Sequence, residues 1–162
     1  MKIHIISIGN KLPDWVNTGV EEYLKRFTPM VDFSLSLQEI PAQKRGKNAP
    51  IAKIVAAESQ ALIDAVPKGF IPVALDVGGQ RLSSEKLAQK LQRFHDNGEH
   101  IAILIGGPEG FNLTLRQFAR QRWSLSDLTL PHPIVRVVLA ETLYRSVSIL
   151  HHHPYHRSGQ RH

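Results

Sequence analysis

Apolar residues along this chain alternate between short strand-like runs and stretches of helical spacing, and the switch recurs about five times. Residues 2–8 (KIHIISI) read as a strand, and Val16, Val20, Tyr23 and Leu24 predict a helix over 14–26. Strict alternation of Val31, Phe33, Leu35 and Leu37 predicts a second strand over 31–40, followed by the polar loop PAQKRGKNAP. Ile54, Val55, Leu62 and Ile63 place a helix over 51–66, stopped before Pro67-Lys68-Gly69. The continuous run FIPVAL predicts a buried strand over 70–75, ending at Asp76 with a turn at Val77-Gly78-Gly79. Ser83 or Ser84 caps a helix running to about Asp96, before Asn97-Gly98. The strand IAILI (101–105) leads into GGPEG (106–110), and a short helix follows over 113–120. WSLSDLTL (123–130) reads as a last strand, and Pro133 opens a helix through about 147.

Such alternation implies an α/β fold, a mostly parallel sheet with helices on both faces. A chain of 162 residues without a linker or repeat is expected to form one domain over 1–162. Hydrophobic residues make up 42% and charged ones 21%, and no apolar run approaches the ~18 residues of a membrane span. MKIHIISIGNK reads as a strand and not a signal peptide, and the absence of cysteine excludes disulfides and thiolate zinc sites, so a cytoplasmic protein is expected. The net charge of +6 fits a polyanionic partner. Lys44, Arg45 and Lys47 cluster in one loop, and Arg157 and Arg161 sit in the tail; both groups suit phosphate contact, with a solvated surface as the plainer reading of the loop.

The candidate chemistry falls late in the chain. The first strand runs into NKLPDW without the glycine fingerprint of dinucleotide binding, and neither a phosphate-cradling G-K-[ST] nor a G-x-S-x-G elbow occurs. GGPEG instead follows the fourth strand, where a tight turn and a ligand site on bare backbone are both open readings. In open α/β sheets ligands bind at the carboxyl ends of strands, which is where Leu75, Gly106 and the segment 125–130 fall. His132 lies between two prolines at a helix start. Glu141 and Arg145, four apart, form an ion pair by helical spacing. The run His151-His152-His153 on an irregular tail holds no fixed coordination geometry, so no metal is expected. Tyr155 and Arg157 suit base stacking and phosphate contact. Trp123 and the leucines after it are also accounted for as core.

ILIGGPEG, WSLSDLTLPHPIVRVVLAETLYR and HPYHR, in this order and spacing, resemble the ribosomal RNA large subunit methyltransferase H family, within the SPOUT superfamily. PDW at 13–15 and IPAQKRGKNA at 40–49 extend the resemblance from Met1 to Arg157. It implies a SPOUT-type fold with a C-terminal trefoil knot, a homodimer, and S-adenosyl-L-methionine as cofactor. The substrate it implies is a pseudouridine in helix 69 of 23S rRNA, methylated at N3, within the assembled ribosome, with no metal or membrane partner. The family's cofactor positions fall on Leu75, Gly106, Leu125, Ser126, Asp127, Leu128, Thr129 and Leu130. Its polar active-region positions fall on His132, Glu141, Arg145, Tyr155, His156 and Arg157, with His156 or Glu141 handling the N3 proton and Arg145 and Arg157 placing RNA. Two departures stand out: Val147 replaces the family's usual tryptophan, and SGQRH (158–162) extends past HPYHR as a flexible addition. The missing tryptophan supports one rival, a non-catalytic ribosome-binding protein of the same fold; a related knotted methyltransferase acting on another RNA is a chemically close alternative that differs mainly in substrate recognition.

Overall fold

The computed structural model describes residues 1–158, the last two by their backbone alone. Five strands, β1 (Lys2–Ile8), β2 (Ser34–Ile40), β3 (Ile71–Arg81), β4 (Ile101–Ile105) and β5 (Gln121–Ser124), form one sheet in the order β2-β1-β4-β3-β5. Every neighbouring pair runs parallel. Such a sheet needs cover on both faces, and all five residues of the central β4 are buried.

Six helices complete the chain: α1 (Asp14–Phe27), α2 (Ile51–Ala65), α3 (Ser84–Asp96), α4 (Leu113–Phe118), α5 (His132–Leu150) and α6 (Tyr155–Ser158). The two-residue period of the strands sorts side chains between two cores. Ile3, Ile5, Val73, Ile101 and Ile103 pack with Phe27 of α1, Leu87 and Leu91 of α3, and Leu139, Leu143 and Val147 of α5. On the opposite face, Ile6, Ile8, Ala74 and Leu104 pack with Leu62 of α2 and Leu115 of α4. Each fully buried Ile or Leu contributes about 1.5–3 kcal/mol. Trp123, 3% exposed, belongs to the first core, as does Val147 at 0%, so the position of the family's tryptophan is an interior one.

Several boundaries differ from the sequence reading for physical reasons. The second strand begins at Ser34 and not at 31, since Val31 stands fully in solvent while Phe33 is buried. α4 stops at Phe118 and not at 120. The third strand does not end at Asp76 but continues to Arg81 through a bulge. The last strand is Gln121–Ser124, not 123–130: the Ser126 hydroxyl accepts the amide of Leu128 at 3.0 Å, while Ser124 Oγ donates to the Ser126 carbonyl at 3.1 Å. Those local bonds turn the chain off the sheet.

α5 runs three residues past 147 and ends in a Schellman motif. The His152 amide donates to Ile149 O at 3.1 Å and the His153 amide to Ser148 O at 2.8 Å, with His152 at φ 54° in the position usually held by glycine. The three consecutive histidines thus form a helix stop, after which Tyr155–Ser158 makes a short turn of helix where the sequence reading had a flexible extension begin at Ser158. Arg161 and His162 lie outside the described residues. Among the described residues no helix is long and apolar enough to cross a membrane, and no group of three His, Asp or Glu gathers to hold a metal.

Candidate active site

β3 and β5 build one wall of the site through a defect in their pairing. Both Leu75 and Gln80 pair with Trp123, so the four residues 76–79 bulge out of the ladder. Asp76 organises the bulge: its Oδ1 accepts the Gly78 amide at 3.0 Å, and its Oδ2 accepts Arg116 Nε at 3.2 Å and Arg122 Nη1 at 3.3 Å. Burial of this carboxyl favours its neutral form, but the Gly78 amide and the two guanidinium groups outweigh burial and hold its pKa below the usual value. Gly79 closes the bulge against β5. A Cβ there would lie 2.6 Å from the backbone carbon of Arg122 and 2.8 Å from the Trp123 amide nitrogen.

A pocket of about 430 Å³, partly open to solvent, lies beside this bulge. Leu75, Asp76 and Val77 line it from β3, Ser124 to Ser126 and Leu128 to Leu130 from the segment after β5, and Val135 from α5. The mainly apolar lining with a few polar groups suits a small-molecule ligand. Six of the eight expected cofactor residues meet here: Leu75, Leu125, Ser126, Leu128, Thr129 and Leu130. Asp127 does not line the pocket and pairs at 2.9 Å with Arg81 on the surface. Gly106 does not line it either; a Cβ there would come within 3.0 Å of both Gly110 O and the Phe111 ring, so glycine lets the GGPEG turn fold back on β4. Asp76, Val77, Ser124 and Val135 were missed by the sequence reading, although an aspartate followed by glycines at a strand end was a usable signal.

At the carboxyl end of β1, His132 and Arg136 project from the first turns of α5. The His132 Nε2–H donates to Ile8 O at 2.9 Å, and burial lowers the pKa of this ring, with the nearby Arg136 charge acting in the same direction. Arg136 is 1% exposed and donates to Glu39 Oε2, to Ser7 Oγ at 2.9 Å and to Gly9 O at 3.0 Å. Its Nε has no partner among the described residues.

The basic loop is divided. Lys44 and Lys47 are exposed, whereas Arg45 turns inward to Glu58 Oε1 at 2.8 Å and Glu109 Oε2 at 2.7 Å. Glu58 is only 2% exposed and also accepts the Gln43 amide at 2.9 Å. Gly107 admits this cluster, since a Cβ would lie 2.7 Å from Glu58 Oε1. Arg45 therefore joins the loop to the GGPEG turn, and the lysines are the loop's outward charges.

The remaining expected residues gather elsewhere. Glu141 Oε1 accepts Arg145 Nε at 2.9 Å and the Tyr155 hydroxyl at 3.2 Å, while Arg145 Nη1 reaches His156 O at 3.5 Å. Burial, and then the bond to Tyr23, push the Tyr155 phenol well above its usual pKa. His156 Nδ1 is buried without a partner among the described residues. Arg157 is placed by its backbone in α6. Glu141 lies six residues beyond the pocket-lining Val135, about 9 Å along the helix and roughly 120° around it. Within one chain the expected site is therefore split between the pocket, the end of β1 and the Glu141 cluster.

A family model described as "Predicted SPOUT methyltransferase" matches residues 1–156. Among solved structures, a protein from Neisseria gonorrhoeae assigned to a methylase family superposes with a TM-score of 0.51. Its sequence identity is 13%, and the match covers 88% of this chain and 81% of the other, so this likeness concerns the fold alone.

Proposed function

The chain belongs to the SPOUT methyltransferase family, and we propose that it methylates N3 of a pseudouridine in helix 69 of 23S rRNA, on the assembled ribosome, with S-adenosyl-L-methionine as methyl donor. The observation that carries this reading is the convergence of Leu75, Leu125, Ser126, Leu128, Thr129 and Leu130 on one pocket at the strand ends.

The pocket fits the donor. Leucines offer an apolar bed, and the irregular backbone from 125 to 130, apart from the Leu128 amide and Ser126 carbonyl engaged in the local turn, offers amides and carbonyls to a polar ligand edge. Bound there, S-adenosyl-L-methionine supplies a methyl carbon activated by its sulfonium. The protein's share is alignment of N3 with that carbon and removal of the N3 proton. In this reading His156 or Glu141 accepts that proton, Arg145 and Arg157 hold the RNA and the developing negative base, and His132 remains a neutral polar group at the end of β1, outside the pocket. With the donor held by Leu75 and the segment 125–130, the N3 proton would pass to His156 or Glu141 as the donor's methyl group is transferred to N3.

The reading includes a homodimer, because the Glu141 cluster and the pocket face different ways on one chain and a second copy can complete the site. It also includes the trefoil knot. Residues 125–131 leave β5 at one edge of the sheet and α5 begins at the end of β1, so the chain passes the ends of β3 and β4 between them. Val147, wholly interior, weakens the case for a non-catalytic relative, since an indole at that position would enter the core and not face RNA. The test is methyl transfer to intact ribosomes and to free 23S rRNA, followed by mapping of the modified nucleotide. Transfer to helix 69 supports the reading; confirmed cofactor binding with no incorporation into either substrate sinks it.

A further inference from the structure

Tyr155 was expected to stack on an RNA base, yet in the free chain its ring is already occupied. It packs edge-on against Tyr144 at 4.6 Å between centroids, and the guanidinium groups of Arg26 and Arg145 lie 5.3 and 5.2 Å from its centre. Its hydroxyl lies 3.2 Å from the Tyr23 hydroxyl and donates to Glu141. Arg26 also lies 4.9 Å from the Tyr23 ring centre and 5.2 Å from that of Tyr144, so a single guanidinium sits within cation–π range of all three tyrosines. It is held there by Glu22, one turn earlier on α1, through bonds of 3.0 and 3.4 Å. The Schellman stop at His152 and His153 reverses the chain so that Tyr155 reaches this cage 132 residues from Tyr23.

Resting on the function proposed above, we propose that Tyr23 and Arg26 are positioning residues for methyl transfer: they anchor Tyr155, which sets where His156 and Arg157 stand relative to the RNA base. α6 has four residues, too few to be stable alone, so its placement depends on this anchor. Tyr155 is the hinge pin of the tail, and the adjacent residues are its working end. A shift of about 1 Å in a positioned group can lower turnover roughly a hundredfold, which gives the cage leverage on the reaction without contact with substrate.

The experiment uses the full chain and the variants Arg26→Ala, Arg26→Lys, Tyr155→Ala and Arg26→Ala/Tyr155→Ala. Two quantities are measured: amide hydrogen exchange across residues 151–158 of the free protein, and kcat and KM for transfer to ribosomes. Arg26→Ala should speed exchange in the tail and lower kcat about 10- to 100-fold. KM for S-adenosyl-L-methionine should stay near that of wild type, since Arg26 does not line the pocket, and the melting temperature should fall by no more than about 2–4 °C, since Arg26 packs on partly buried tyrosines at the edge of the core. Arg26→Lys should restore part of kcat by keeping the cation over the rings. The double variant should be no worse than the poorer single one, because both changes break one unit. Unchanged tail exchange in Arg26→Ala, full turnover despite a loosened tail, or losses that multiply in the double variant would each overturn the proposal. An inactive wild type would instead sink the pseudouridine reading, and the exchange contrast, which needs no substrate, tells the two failures apart.

Discussion

Adjacent glycines in the β3 bulge should respond very differently to the same added methyl group. At Gly79 a Cβ would sit 2.6 Å from Arg122 C, 2.7 Å from Arg122 O and 2.8 Å from Trp123 N, all backbone atoms of a paired strand that no side-chain rotation can move. At Gly78 the nearest atom is Asp76 Oδ1 at 3.7 Å, an ordinary contact. Forcing a methyl into a filled space costs about 1–3 kcal/mol, and here relief requires β5 to move away from β3. For a domain of this size that loss lowers Tm by about 2–12 °C. The displaced strand leads directly into Ser124, Leu125 and Ser126, so the pocket should open with it. Calorimetric melting and titration with S-adenosyl-L-methionine, run on Gly79→Ala and Gly78→Ala together, provide the check. Gly79→Ala should lose both stability and cofactor affinity while Gly78→Ala stays near wild type. Equal behaviour of the two variants would refute the claim that close approach of β5, and not the turn as such, demands the glycine.

His152→Gly should raise Tm by about 2–4 °C, because a non-glycine residue in the left-handed region costs roughly 1 kcal/mol; a fall in the thermal scan would count against the helix-stop reading. Arg136→Ala should cost about 3 kcal/mol in denaturant unfolding, since Ser7 Oγ and Gly9 O lose a buried donor, whereas Asp127→Asn, which breaks a pair 74% and 68% exposed, should stay within about 0.5 kcal/mol. His132 has a folded pKa below its unfolded one, so the unfolded chain takes up its proton first: the stability this ring contributes is complete above pH ~6.5 and is lost as pH falls below it. Melting curves at pH 7.5 and 5.5 should show that loss, and His132→Gln should reduce the difference between them.

Elements buried on both sides were legible because their composition leaves no alternative. IAILI reads the same as strand or core, and Ser83, which accepts the Lys86 amide at 3.1 Å, marks the start of α3 by its own chemistry. The misreadings share a cause: periodicity reports which side chains are apolar, not whether the backbone is paired. WSLSDLTL alternates well enough for a strand, but Ser126 spends its hydroxyl on a local turn and its leucines line a pocket wall. Gly78-Gly79 signals a turn, yet the ladder resumes at Gln80 because β5 lies close enough to pair again. Arg45 sits in a run that reads as phosphate-binding, and its neutralisation depends on Glu58 and Glu109, 13 and 64 residues away. No local pattern carries that information.

The two halves of the site differ in the same way. The proposed cofactor half is assembled from a strand end and the segment that follows its neighbour, so a motif confined to 125–130, together with Leu75, names most of the pocket lining. The proposed substrate half depends on long-range docking: Glu141 and Arg145 are neighbours by helical spacing, but their surroundings are set by Tyr155 arriving from the tail and by Tyr23 and Arg26 on α1. The sequence reading placed Tyr155 in the active region and gave it the exposed aromatic's role. Its partly buried hydroxyl, with two oxygen partners, and its ring, flanked by Tyr144 and two guanidinium groups, make it a structural pivot in the free chain. A base that stacked on Tyr155 would first have to displace one of those groups, so direct stacking predicts a loosened tail in the RNA complex, whereas anchoring predicts a tail protected equally with and without RNA. Hydrogen exchange on the ribosome-bound protein separates these outcomes.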